Sequence, residues 1–169
     1  MTQLSLGKMR VEVDGDGRED RAVLSGRLDE EARLEPLLEA LQAPRVVLDT
    51  AGVDFINSIG IREWIHLLHG LHRRGARVAL VRVSEPLTAQ LSMLLAARDG
   101  VDVQSVHVPY ECTGCLREEN ALVDVVRHRS ALAAMTPPTL PCPECGGTME
   151  LADLPERYFL FVRDAESGR

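Results

Sequence analysis

The sequence predicts an α/β protein, a mixed β-sheet flanked by helices, followed by a small four-cysteine unit. Three observations carry this. Apolar residues in the first 108 positions switch repeatedly between strand-like runs and a helical period. Glycine and proline punctuate those runs. All four cysteines, Cys112, Cys115, Cys142 and Cys145, lie in the last third of the 169 residues.

Taken in order, Val11–Val13 reads as a short strand and Asp14–Gly17 as a turn. Arg21–Ser25 reads as a second strand, closed by Gly26. Asp29 to Leu41 reads as a helix, with Leu34, Leu37, Leu38 and Leu41 on one face. Arg45–Asp49 is nearly continuous in apolar residues, as buried parallel strands are. After a loop, Ser58 to Arg73 reads as a helix with Ile61, Ile65, Leu68 and Leu71 as its core face. Ala76–Val83 is a strand. Pro86 suits a first helical turn, and Leu87, Leu91, Leu94 and Leu95 continue that helix. Gly100 ends it, and Val101–Val108 is the last strand of the first unit. The expected division is residues 1–108 and 109–169. In the second unit, Glu119 to Ala134 reads as a helix and Tyr158–Val162 as a strand.

Composition narrows the function classes. The net charge is −7, and the two units carry −3 and −4. Neither offers the basic face that phosphate-backbone binding requires, so a nucleic-acid partner is disfavoured. No apolar run reaches the roughly 18 residues of a membrane span, so no membrane insertion is expected. Met1–Arg10 lacks the apolar segment of a secretory leader, and a cytoplasmic location follows as the expectation. There is no glycine-rich phosphate loop and no nucleophile–base–acid arrangement, which points away from an enzyme. His66, His69 and His72 fan around their helix at three-residue spacing and do not converge on a metal. Trp64 sits off the central apolar stripe and is expected to pack.

The run Val46-Val-Leu-Asp49, then Asp54-Phe-Ile-Asn57-Ser58-Ile-Gly60-Ile61, resembles the signature of STAS domains, in particular bacterial anti-sigma-factor antagonists. Gly26-Arg-Leu-Asp29 is similar to that family's Gly-x-Leu-Asp. The resemblance covers residues 9–108. It implies a non-enzymatic signalling and transcription-regulating role by partner switching. The protein partner implied is an anti-sigma factor or serine kinase of the histidine-kinase-like ATPase type. Ser58 matches the serine that such kinases phosphorylate. Asp29, Asp54, Asn57 and Ser58 are the expected partner-binding residues. Two positions depart from the motif: Asn57 replaces an Asp, and Ile59 replaces a second Ser. These departures suit the alternative, an accessory STAS subunit of a lipid-transport or signalling assembly without phosphorylation. On physical grounds either Asn57 or Ser58 can cap the helix. A phosphate there would meet the positive end of the helix.

The cysteines form Cys112-Thr-Gly-Cys115 and Cys142-Pro-Glu-Cys145-Gly-Gly. Two such pairs supply four thiolates for a tetrahedral Zn2+. Four cysteines close the coordination shell, so the metal is expected to be structural. The unit resembles the zinc-ribbon family, with a longer insert between its pairs than the 15–20 residues usual for this pattern. A small unit with few core residues needs such a staple to fold. Disulfides are disfavoured in a reducing compartment.

Overall fold

A computed structural model describes residues 1–167 and shows two sheets built on one continuous core. The first sheet opens with β1 (Thr2–Leu6), β2 (Met9–Gly15) and β3 (Glu19–Leu28). Next come α1 (Glu35–Ala40), β4 (Arg45–Ile56), α2 (Ser58–Arg73), β5 (Arg77–Val81) and α3 (Glu85–Met93). A single 3-10 turn (Leu95–Ala97) leads to β6 (Val101–Val103). Strand order is β1-β2-β3-β4-β5-β6. The β1/β2 and β2/β3 pairs are antiparallel, whereas β3/β4, β4/β5 and β5/β6 are parallel, which makes the sheet mixed, as expected. Leu24, Leu48 and Leu80 from three neighbouring strands are fully buried, together with Leu37 of α1 and Leu68 and Leu71 of α2.

The second sheet contains β7 (Ser105–Cys112), β8 (Glu118–Asp124), β9 (Leu140–Pro141) and β10 (Thr148–Leu151), with α4 (Arg129–Ala133) and the final α5 (Pro155–Ser167). Its order is β8-β7-β10-β9, all antiparallel. The change of sheet falls at Gln104, between β6 and β7. Residue 109 lies inside β7, so the segment that expectation treats as a junction is hydrogen-bonded strand.

Several element expectations are corrected. β1 is an added strand, joined to β2 by a two-residue turn in which Gly7 takes φ +64°, the first-position glycine of a type II′ hairpin. The helix expected from Asp29 shrinks to α1, because Pro36 has no N–H and its ring would collide with a preceding turn. The stretch after Asp49 is not a loop. β4 runs on to Ile56, with irregular register against β3. α3 ends at Met93, leaving Leu94 and Leu95 exposed rather than on its core face. The strand expected over 101–108 splits between the two sheets. Residues 119–134 hold β8 and the short α4, because Ala121, Val123 and Val125 bury alternate positions, a period of two. Tyr158–Val162 is helix, not strand. Pro155 starts α5 where a missing N–H costs nothing, and Tyr158, Phe159, Phe161 and Val162 bury one helical face.

The two sheets are locked together by this last helix. α5 packs on α3 and on α4. The buried Tyr158 hydroxyl donates to Glu85 Oε1 at 2.8 Å. Burial first, and then that bond to a carboxylate, push the phenol well above its ordinary pKa. Trp64 is fully buried, as expected, and its indole N–H donates to the Ala97 carbonyl at 2.9 Å. No helix among the described residues is long and apolar enough to cross a membrane.

Candidate functional site

The first candidate surface surrounds the start of α2. The Ser58–Arg73 helix forms as its apolar spacing predicts, and Asn57 is its N-cap. Asn57 Oδ1 accepts the N–H groups of Ile59 (3.1 Å) and Gly60 (2.9 Å). Its Nδ2 donates to Glu30 Oε2 at 2.7 Å. The Glu30 carboxyl titrates below its ordinary value, chiefly through its own backbone N–H and then through this amide. Asn57 N–H donates to Leu28 O at 3.3 Å, which ties the helix start to the end of β3. Gly60 is required by proximity: a Cβ built there would lie 1.8 Å from the Leu28 carbonyl oxygen. The motif glycine therefore lets α2 press against the loop that follows β3.

With the cap assigned to Asn57, Ser58 is free of capping duty and stands exposed in the first turn. Phe55, three residues before it, and Ile59, the next residue, are 36% and 42% exposed, so two apolar side chains close to the serine in sequence reach solvent. Arg27 lies 3.7 Å above the Phe55 ring. Asp54 is exposed on β4. Asp29, by contrast, is buried. Its Oδ1 accepts Glu31 N–H at 3.1 Å and its Oδ2 accepts Arg27 Nε at 3.3 Å. The Glu31 N–H and then Arg27 hold its carboxyl below the usual range, against the opposing effect of burial. Of the four residues expected to bind a partner, Asp54 and Ser58 face solvent, Asn57 is half-buried, and Asp29 shapes the loop behind them.

Two neighbours were not legible as site residues. Glu30 is one, held by Asn57 across 27 positions of sequence. Arg27 is the other, and only the extension of β4 to Ile56 brings Phe55 beneath it. Asp49, the motif residue at the middle of β4, is fully buried. Its Oδ2 accepts Arg21 Nη2 at 3.1 Å and Arg82 Nε at 2.8 Å and Nη2 at 2.5 Å. A carboxylate this deep needs such pairing, and here it clamps β3, β4 and the segment after β5 together.

The second candidate is a metal centre. The Sγ atoms of Cys112, Cys115, Cys142 and Cys145 all lie within 4.8 Å of one another. Cys112 and Cys145 are 3.5 Å apart, and Cys115 and Cys142 are 3.7 Å apart. Cys112 ends β7 and Cys142 follows β9. The pairing of β10 with both strands brings the two turns to one end of the sheet. The turns are built alike. Cys112 O accepts from Leu116 N–H and Cys142 O accepts from Gly146 N–H. Both closing residues are left-handed, Leu116 at φ +61° and Gly146 at φ +72°. Backbone N–H groups point at the sulfurs: Gly114 and Cys115 to Cys112, and Gly147 to Cys145. The N–H groups of Cys115 and Gly114 lower the Cys112 thiol to about 6. The Arg117 N–H favours the Cys115 thiolate, yet burial and bonds to the three other thiols outweigh it and push Cys115 up to about 12. One sulfur thus holds negative charge that its neighbours share, which is what a thiolate-bound cation would relieve. The donor set can hold a metal ion. His66 and His69 are exposed and join no such group among the described residues.

No protein-family model matches the chain, and no curated protein matches it. Solved structures do. One is an antisigma-factor antagonist, a STAS domain from Rhodobacter sphaeroides, 23% identical, matched over 46% of this chain and 89% of its own, with a TM-score of 0.39. Another is an anti-sigma factor antagonist from Mycobacterium paratuberculosis, 20% identical, matched over 59% of this chain and 89% of its own, with a TM-score of 0.42. The chain is thus similar to STAS-type anti-sigma-factor antagonist structures, with a four-cysteine, zinc-ribbon-like module late in the chain.

Proposed function

We propose that the chain is a non-enzymatic regulatory protein, of the kind formed by anti-sigma-factor antagonists, which binds its partner at the start of α2. The observation that carries this reading is the exposed Ser58, released from capping by Asn57, with exposed Phe55 and Ile59 close to it in sequence. The apolar pair gives a partner something to bury. The serine gives a kinase something to modify. A phosphate on Ser58 would add close to two negative charges and three acceptor oxygens at the positive end of a 16-residue helix. The helix would survive the modification, whereas a partner seated on Phe55 and Ile59 would have to desolvate that charge. The partner is an anti-sigma factor or serine kinase of the histidine-kinase-like ATPase type, in the cytoplasm, and the output is transcriptional.

The test has two parts. Mass spectrometry of the protein isolated from its source cells should find phosphate on Ser58. Ser58→Asp should capture at least roughly tenfold less of the partner held by Ser58→Ala, a loss of about 1.4 kcal/mol. An unmodified Ser58 together with equal capture by both variants would sink the switch. That result would favour the second reading, an accessory subunit of a transport or signalling assembly in which this surface is a fixed contact. Exposed Ile59, in place of a second serine, is the feature that suits it.

For the four-cysteine centre we propose a structural Zn2+. A tetrahedral zinc with bonds of about 2.3 Å sets sulfur–sulfur edges of about 3.8 Å. The 3.5 and 3.7 Å separations support that fit. All four donors are cysteine, so the shell is closed. Zinc well below one equivalent per chain in purified protein would refute this.

A further inference from the structure

Each of the two sheets has two edges, and three of these four edge strands are guarded against pairing with another chain. β6 is three residues long and carries Asp102. β8 carries Glu118, Glu119 and Asp124. β9 is two residues long and contains Pro141. Charge, proline and shortness are the usual means by which proteins blunt an open edge. β1 has none of them. Its five residues, Thr2-Gln3-Leu4-Ser5-Leu6, are uncharged and free of proline.

The hairpin fixes which groups that edge presents. The type II′ turn at Gly7-Lys8 makes Leu6 and Met9 a hydrogen-bonded pair, so Leu4 and Thr2 also point their N–H and C=O toward β2. Gln3 and Ser5 then point theirs outward, unpaired, and both residues are exposed. Leu4 is half-buried on the core face at the same edge.

We propose that β1 is a self-association edge whose partner is a second copy of this chain, paired antiparallel about a two-fold axis through Leu4. In that register Gln3 of each copy faces Ser5 of the other and exchanges two backbone hydrogen bonds with it, about four in all. Leu4 meets its symmetry mate in the closer, non-hydrogen-bonded pair, where side chains pack best. No like charges meet. On the solvent face, Glu12 pairs beside Gln3 and Arg10 beside Ser5 within each chain. The two-fold places Glu12 of one copy and Arg10 of the other in one cross-strand row, and the second row repeats the match. These charges stand three strand spacings apart, about 14 Å, so they act weakly, but the two-fold makes both rows opposite in sign, a match that a second copy supplies by symmetry. The contact is isologous and closes at two chains, joining two six-stranded sheets into one.

Sedimentation velocity on the full, metal-loaded chain, from about 1 µM to about 1 mM, tests this. Wild type should pass from monomer to dimer across that range. Gln3→Lys with Ser5→Lys puts lysine opposite lysine and should weaken association at least roughly tenfold; Gln3→Lys with Ser5→Glu puts lysine opposite glutamate and should tighten it by a similar factor. Both pairs sit on the exposed face, and the second also matches Glu12 and Arg10 within the chain, so it keeps the monomer intact. Should the double-lysine variant fail to fold, Ser5→Pro replaces it. That change deletes an outward N–H that the monomer does not use and should likewise leave a monomer. A wild type that stays monomeric to the top of the range overturns the proposal. So does a dimer equally tight in wild type and both charge variants.

Discussion

Asn57 carries two jobs in one side chain. Its oxygen caps α2, and its amide holds Glu30. Asn57→Ala should cost about 1 kcal/mol in urea unfolding, the ordinary worth of a cap. Asn57→Asp keeps the cap and gains from the helix dipole, but sets a carboxylate against Glu30 in place of the 2.7 Å bond. It should therefore recover stability only in part at neutral pH, and more fully once Glu30 is removed as well. A double-mutant cycle with Glu30→Gln reads that coupling. Asp29 makes a pH prediction. Its folded pKa is depressed by the Glu31 N–H and Arg27, so its contribution is present above the ordinary value of 3.8 and lost as pH falls through the lower folded value. Asp29→Asn should flatten the acid limb of the stability curve measured by denaturant midpoint. Leu116 supplies a third case. It is 70% exposed and left-handed at φ +61°. Relief of that strain is worth about 1–2 kcal/mol, against about 0.5–1 kcal/mol for the added freedom of glycine. Leu116→Gly should accordingly raise the thermal midpoint slightly, with metal content unchanged.

At the scale of elements, α5 and the two cysteine turns hold the second sheet. β9 and β10 are short, and a sheet of such strands is marginal without a staple. Chelation should remove hydrogen-exchange protection from β7, β9 and β10 before it affects β3 and β4. Thiolate ligands must be deprotonated, and the Cys115 thiol is pushed up to about 12, so binding releases protons and metal affinity should fall steadily as pH drops through the neutral range. α5 shows why some elements read correctly and others did not. Tyr158, Phe159, Phe161 and Val162 are aromatic and β-branched, the composition of a strand. Packing on α3 and α4 overrides that preference, and only Pro155 hinted at a helix start. α2 had no such conflict: its apolar period, cap and closing glycine agree, and it spans Ser58–Arg73 as expected. α1 could have been bounded from the chain, because Pro36 excludes a helix running in from Asp29.

For the whole molecule, the core is continuous from Leu6 to Val162. Leu87 of α3 is fully buried, and α5 covers the helix that carries it. Phe159→Ala should then cost about 3–5 kcal/mol and lower a single shared transition, rather than melting the second sheet alone. Calorimetry that resolved two independent transitions would contradict this coupling.

The chain by itself determined the mixed sheet, the α2 motif and the four-cysteine donor set. Each is written in local terms: a period, a cap with its glycine, a pair of Cys-x-x-Cys turns. Tertiary structure decided where the first sheet stops, which of Asp29, Asp54, Asn57 and Ser58 face solvent, and what Asp49 holds. It also decided that the cysteine-bearing segment shares its core with the first sheet. These outcomes depend on contacts between residues far apart in sequence, such as Asn57 with Glu30 and Tyr158 with Glu85. Burial and long-range hydrogen bonding settle them, and neither leaves a local period to read.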